Sequence, residues 1–177
     1  TQRHHAPLSR RFWCGLGQAA VMPIILALST GQWLSVYLTY FFVTPDDASL
    51  LLEVSVIIAL LAGMQIFNIT LVIAVKWLVI GRTKPGRYPL WGSYYFRVWL
   101  VQRFSALAHE KWLQGTVFYR IFLRLLGAKV GTGSIIGQAS FECHDLISIG
   151  TNVSIGNRVI LAASRVEGDE FIIGPID

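Results

Sequence analysis

Charge and cysteine are the two things this sequence has least of. Only 14% of its 177 residues are charged, against 54% hydrophobic, and there are two cysteines. An ordinary soluble domain is about 25% charged and about 45–50% apolar. The apolar excess, with a mean hydropathy of +0.55, excludes a disordered or collagen-like chain and argues against a wholly soluble globule. Cys14 and Cys143 belong to no CxxC or Cys/His cluster, so neither a metal site nor a disulfide framework is expected. The chain opens on Thr1 and closes inside a repeat described below. It is therefore expected to be a piece of a longer protein.

What is abundant is uncharged run. Residues 12–43 contain no charge in 32 positions, and 54–75 none in 22. A membrane-spanning helix needs about 20 such residues. The first run is too short for two spans and suits one, tilted or kinked at Pro23. Trp33, Tyr37, Tyr40, Phe41 and Phe42 would form an aromatic belt. The intervening loop holds Asp46 and Asp47 and no Lys or Arg, whereas Arg3, Arg10, Arg11, Lys76, Arg82, Lys84 and Arg87 lie outside the hairpin. The positive-inside rule then places both ends in the cytoplasm, integral to the cytoplasmic membrane.

From Lys76 to Lys129 there are ten basic residues and one acid, Glu110, a net charge of +9. Eleven aromatics are interleaved between Tyr88 and Phe122. Such interleaving can bind single-stranded nucleic acid. Directly after a membrane span, an anionic lipid surface is the better partner, and no nucleic acid is expected. Lys76, Arg82, Lys84, Arg87, Trp91 and Arg97 are the candidate membrane-interface residues, Lys76 by snorkelling. Phe118, Ile121, Phe122 and Leu125 follow helical spacing, and Gly127 suits the position just past the helix end.

After Gly127 the period changes. Val130-Gly131, Ile136-Gly137, Ile149-Gly150, Ile155-Gly156 and Leu161-Ala162 recur at sixes, with one extra residue between Ile136 and Ile149. An aliphatic residue and a small neighbour every six residues is the pattern of hexapeptide repeats in a parallel β-helix. The expected fold is thus a membrane α-helical hairpin plus interfacial helices, followed by the start of a left-handed parallel β-helix. Its parts are a cytosolic juxtamembrane tail (1–11), a transmembrane helix (12–43), a short extracytoplasmic loop (44–53), a second transmembrane helix (54–80), basic aromatic interfacial helices (81–127) and a truncated hexapeptide-repeat domain (128–177).

The string from Gly81 to Trp91, containing Lys84-Pro85-Gly86-Arg87-Tyr88-Pro89-Leu90-Trp91, and the runs Tyr94–Val101, Leu113–Thr116, Phe122–Gly131 and Asp145–Gly150 resemble the C-terminal membrane region of epsilon-poly-L-lysine-synthetase-type nonribosomal peptide synthetases. The resemblance covers roughly residues 50–160. It implies one helix pair and the start of one of several tandem cytosolic domains, in a protein with adenylation and carrier domains upstream and further transmembrane pairs and repeat domains in the same chain. Those domains would form amide bonds between a carrier-bound aminoacyl thioester and a free amine, giving a short homo-oligomer of an amino acid. ATP and phosphopantetheine are implied for the full-length protein. No adenylation, phosphopantetheine-attachment or phosphate-loop motif, and hence no cofactor site, is expected in this segment. Two alternatives stand beside this reading: a non-catalytic membrane scaffold or export segment, and a stand-alone membrane-bound hexapeptide acyltransferase using acyl-CoA.

Amide formation from a thioester needs a base near the amine. His144, in the insert Phe141–Asp145, is the candidate base, because histidine changes charge near neutral pH. Neighbouring residues of an extended chain point oppositely. Asp145 is therefore a candidate for binding the amine, or for capping a turn, rather than for orienting His144. Glu142 reads as a loop charge and His109 as structural. His4-His5 begins a condensation-like string, but Ser9 and Arg10 stand where Asp and Gly would be needed.

Overall fold

The computed structural model describes residues 7–45 and 48–176. The His4-His5 string and the acidic pair Asp46-Asp47 lie outside the described residues. Two long antiparallel helices come first, α1 (Leu8–Val43) and α2 (Leu50–Val79). Both are long and apolar enough to cross a membrane. Ser49 caps α2 by accepting from the Leu52 N–H at 3.4 Å, and Glu53 sits in the first turn, where a negative charge suits the helix dipole. Between the helices, the Gln32 side-chain amide donates to the Asn68 carbonyl oxygen at 2.5 Å, both groups buried. Hydrogen bonds of this kind join helices inside a bilayer, where apolar contact alone does not discriminate protein from lipid.

The chain continues as β1 (Gly86–Pro89), α3 (Ser93–Ser105), two 3-10 turns over Ala106–Ala108 and Glu110–Trp112, and α4 (Val117–Leu125). Short strands follow in three parallel pairs. β2 (Lys129–Val130) lies beside β5 (Ser148–Ile149), β3 (Ile135–Ile136) beside β6 (Ser154–Ile155), and β4 (Ala139–Glu142) beside β7 (Val159–Ala162). Then the chain reverses. β8 (Ser164–Glu167) and β9 (Glu170–Ile173) form an antiparallel hairpin around Gly168 at φ +60°, and β9 pairs antiparallel with β1.

This arrangement corrects the expected left-handed β-helix of hexapeptide repeats. Each parallel sheet has only two strands of two to four residues, and the sheets stay open rather than closing into a solenoid. Where a further repeat was expected, the hairpin β8–β9 continues toward β1. The six-residue period records only that Val130, Ile136 and Ile149 point inward, and all three are buried. It does not fix how the strands are continued. Arg165-Val166-Glu167 and Asp169-Glu170 carry the alternation and turn of a hairpin instead.

The glycines of the repeated dyads are not equivalent. A Cβ on Gly131 would strike the carbonyl of Gly150, and one on Gly137 would lie 2.6 Å from the Asn157 side-chain oxygen and 3.1 Å from the Ile155 carbonyl. Gly150 would gain only ordinary contact with Val153, and Gly156 faces open space. Gly131→Ala is therefore expected to cost about 1–3 kcal/mol of stability, as overpacking against fixed backbone does. Gly150→Ala should leave the thermal midpoint in detergent nearly unchanged.

The core joins membrane helix to strands. Tyr119, Phe122, Leu123 and Leu126 of α4 and the residue after it pack on Val72 of α2 and on Ile136, Ala139 and Ile147. The second half of α2 is thus a wall of the core shared with α4 and the strands as well as part of a candidate span. A smaller cluster, Val98, Phe171 and Ile173, ties α3 to β9.

Candidate functional site

A cleft of about 780 Å³ opens between the end of α2, α3, the two 3-10 turns and the segment 138–144. Its wall is largely apolar, with Lys76, His109, Glu110, Lys111, Glu142, Cys143 and His144 as its titratable groups.

His144 opens a short 3-10 turn after β4, entered through Cys143 at φ +54°. This geometry turns the imidazole inward, and the residue is 7% exposed. Its Nε2 is buried with no hydrogen-bond partner among the described residues. Burial drives its pKa down to about 4, against a smaller opposing pull from the Asp145 charge. The ring is therefore neutral at pH 7. In the tautomer with the proton on Nδ1, the Nε2 lone pair is free to accept a proton.

Glu110 was visible in the sequence only as the single acid within a basic segment. It follows His109, whose φ of +47° breaks the helix and turns the chain into the cleft. The Tyr119 hydroxyl lies 3.3 Å from the Glu110 carboxylate and 3.2 Å from the Ala139 carbonyl. Burial raises the Glu110 carboxyl to about 7, and the contact with Tyr119 only partly offsets this. Cys143 lines the same cleft, but burial pushes its thiol up to about 12. It is a thiol at neutral pH and a poor nucleophile.

The two shifts give a pH signature of opposite signs. Folded His144 refuses a proton that the unfolded chain takes, so its contribution weakens stability as pH falls from about 6.5 toward 4. Folded Glu110 holds a proton that the unfolded chain releases, so its contribution is present at low pH and is lost as pH rises from about 4.5 through 7. Glu110→Gln should therefore gain on the parent as pH rises through that window and level off above it, measured as the difference between their thermal midpoints. A constant difference would leave Glu110 an ordinary solvated carboxylate.

Asp145 points elsewhere. Its Oδ1 accepts from the Lys76 ammonium at 2.7 Å, and its Oδ2 accepts from the Thr83 N–H and hydroxyl, each at 2.8 Å. Lys76 is 3% exposed. The place expected for a substrate's ammonium is thus filled by the chain's own lysine. Lys76 does not snorkel into a lipid surface; it lies over the Trp77 ring and inside the protein.

The remaining expected interface residues are spread over the segment after α2. Arg82, Lys84 and Arg97 are exposed. Arg87 is exposed and pairs with Glu170 at 3.2 Å, a contact of the kind that contributes about 0–1 kcal/mol. Trp91 takes a φ of +64° and packs at a tilt on Tyr95. Tyr88 and Tyr94 stack 4.0 Å apart, and both hydroxyls bond to the Lys84 backbone, Tyr88 donating to the carbonyl and Tyr94 accepting from the N–H. These contacts strap the segment down.

No protein-family model matches the chain. No solved structure matches it either. The chain is similar to the delta-poly-L-ornithine synthetase of Acinetobacter baumannii (strain AB307-0294), 32% identical over 169 residues that cover 94% of this chain and 12% of that protein. It thus spans about an eighth of the length of the relative it matches. The chain is a distant relative of an amino-acid-polymer synthetase and carries two candidate membrane spans. The match does not single out the epsilon-poly-L-lysine type that the motif string resembles.

Proposed function

We propose that this chain is a membrane-embedded piece of a peptide synthetase, and that its cleft forms amide bonds between a carrier-bound aminoacyl thioester and a free amine. The observation that carries the reading is the 32% identity to a poly-ornithine synthetase along nearly the whole chain. The cleft supports it, because His144, whose buried Nε2 has no hydrogen-bond partner among the described residues, lines a largely apolar space large enough for a small acyl group and an amine.

In this reading the amine nitrogen attacks the thioester carbonyl, the carbon–sulfur bond breaks, and the nitrogen loses a proton. His144 Nε2 accepts that proton, and the departing thiolate takes one up. Glu110, with a carboxyl near pH 7, is the second group in the cleft able to hold it. Adenylation and carrier regions elsewhere in the longer protein supply the thioester at the expense of ATP, on a phosphopantetheine arm. Both ends of the hairpin face the cytoplasm.

The test uses the full-length protein in lipid, supplied with ATP and single amino acids, with products followed by mass spectrometry. Release of amino-acid oligomers is expected. A full-length protein without adenylation and carrier regions would overturn the reading.

A further inference from the structure

Helix α4 is apolar on both sides. One face, with Tyr119, Phe122 and Leu123, is the core. On the other, Val117, Phe118, Ile121 and Leu125 are exposed, Phe118 by 69%, and the preceding turn adds Trp112 at 81%. An isolated exposed leucine means little, but five large apolar side chains on one face are a patch that needs a partner.

The patch runs on into α2. The Trp77 indole N–H donates to the Leu125 carbonyl at 2.9 Å. Trp77 and Leu78 are themselves exposed, Leu78 by 85%, beside a helix that is a candidate membrane span. At the other end of α4's run, the Gln65 side chain donates to the Ala108 carbonyl at 2.6 Å, four residues before Trp112. The C-terminal end of α4 thus meets α2 at Trp77, and the 3-10 turn that precedes Trp112 meets α2 one stretch earlier, at Gln65. Lys111 and Arg124 flank the patch and are exposed. Arg124 also bonds to the Val130 carbonyl. Cationic residues beside aromatic and aliphatic ones are the composition of a helix lying in a membrane interface.

We infer that the outer face of α4, with Trp112, is seated in the lipid bilayer, so that the extramembrane domain is held to the membrane by α4 as well as by the helical hairpin. The occupant is lipid because the patch is continuous with the surface of α2, whose own exposed apolar residues require lipid. This surface differs from the basic collar of residues 82–97, where Arg87 instead pairs with Glu170.

The chain is reconstituted in vesicles of phosphatidylcholine and phosphatidylglycerol, with one cysteine at a time carrying an environment-sensitive fluorophore. Phe118→Cys and Ile121→Cys are the probes. Ile58→Cys on the exposed part of α2 is the lipid standard, and Arg165→Cys on β8 is the aqueous one. The unsubstituted chain corrects for labelling of Cys14 and Cys143. Labels at 118 and 121 are expected to be quenched by acyl-chain spin labels, as at 58, and to lose quenching by aqueous iodide. Iodide quenching equal to that at 165 would overturn the inference. Protection from both quenchers would also overturn it, in favour of a protein partner on this face.

Discussion

Asp145→Ala is expected to unfold the extramembrane part of the protein at temperatures where the parent is folded. The substitution strands the Lys76 ammonium, 3% exposed, and leaves the Thr83 N–H and hydroxyl without their acceptor. Removing one partner of a buried ion pair costs about 3–5 kcal/mol, a large share of a domain's total stability of about 5–15 kcal/mol. The cost comes from the orphaned charge more than from lost attraction. Lys76→Met with Asp145→Leu should therefore recover much of the loss, since replacing both members of such a pair by apolar residues is often neutral. Thermal unfolding in detergent, followed by near-ultraviolet dichroism, reads both variants. A double variant no better than Asp145→Ala would mean that the Thr83 contacts, rather than Lys76, set the cost.

The second large effect is chemical. His144→Ala is expected to lower amide formation by the full-length protein about a hundred- to ten-thousand-fold, the range for loss of a general base. Its folding should suffer less than that of Asp145→Ala, because the imidazole Nε2 has no partner to lose. The neighbouring residues 144 and 145 thus separate by readout, one in turnover and the other in stability. Unchanged turnover in His144→Ala would remove it from catalysis while leaving the synthetase assignment standing on the similarity.

The division between residues 144 and 145 shows what could be read from the sequence and what could not. Alternation in an extended chain predicts that His144 and Asp145 face different ways, but these residues form a 3-10 turn, where that rule does not apply. Nor could it say that Lys76, 69 positions earlier, would fill the Asp145 side. Ion-pair partners at such separation leave no local periodicity. The two apolar helices were legible because hydrophobic run length is a local property. The use of α2's second half was not. Ile69, Val72 and Ile73 look equally apolar whether they meet lipid or the side chains of α4.

The repeat misled for a related reason. Val130, Ile136 and Ile149 are inward-facing, as their spacing suggested, but spacing of inward residues does not specify the continuation of a sheet. Gly168 and its flanking charges reverse the chain into a hairpin. Glu110 was overlooked because its importance comes from burial beside Tyr119. The one signal present was its isolation as an acid among ten bases.

Amide formation is tested by a single-turnover measurement on the full-length protein in lipid. Its carrier is loaded beforehand with an aminoacyl thioester, excess free amino acid is added, and the fate of the acyl group is followed by mass spectrometry. Transfer to the amine is expected, with an amide product and a freed carrier thiol, and arrest at the thioester in His144→Ala. Slow hydrolysis of the thioester to the free acid, with no amide at any amine concentration and no difference between parent and variant, would contradict it.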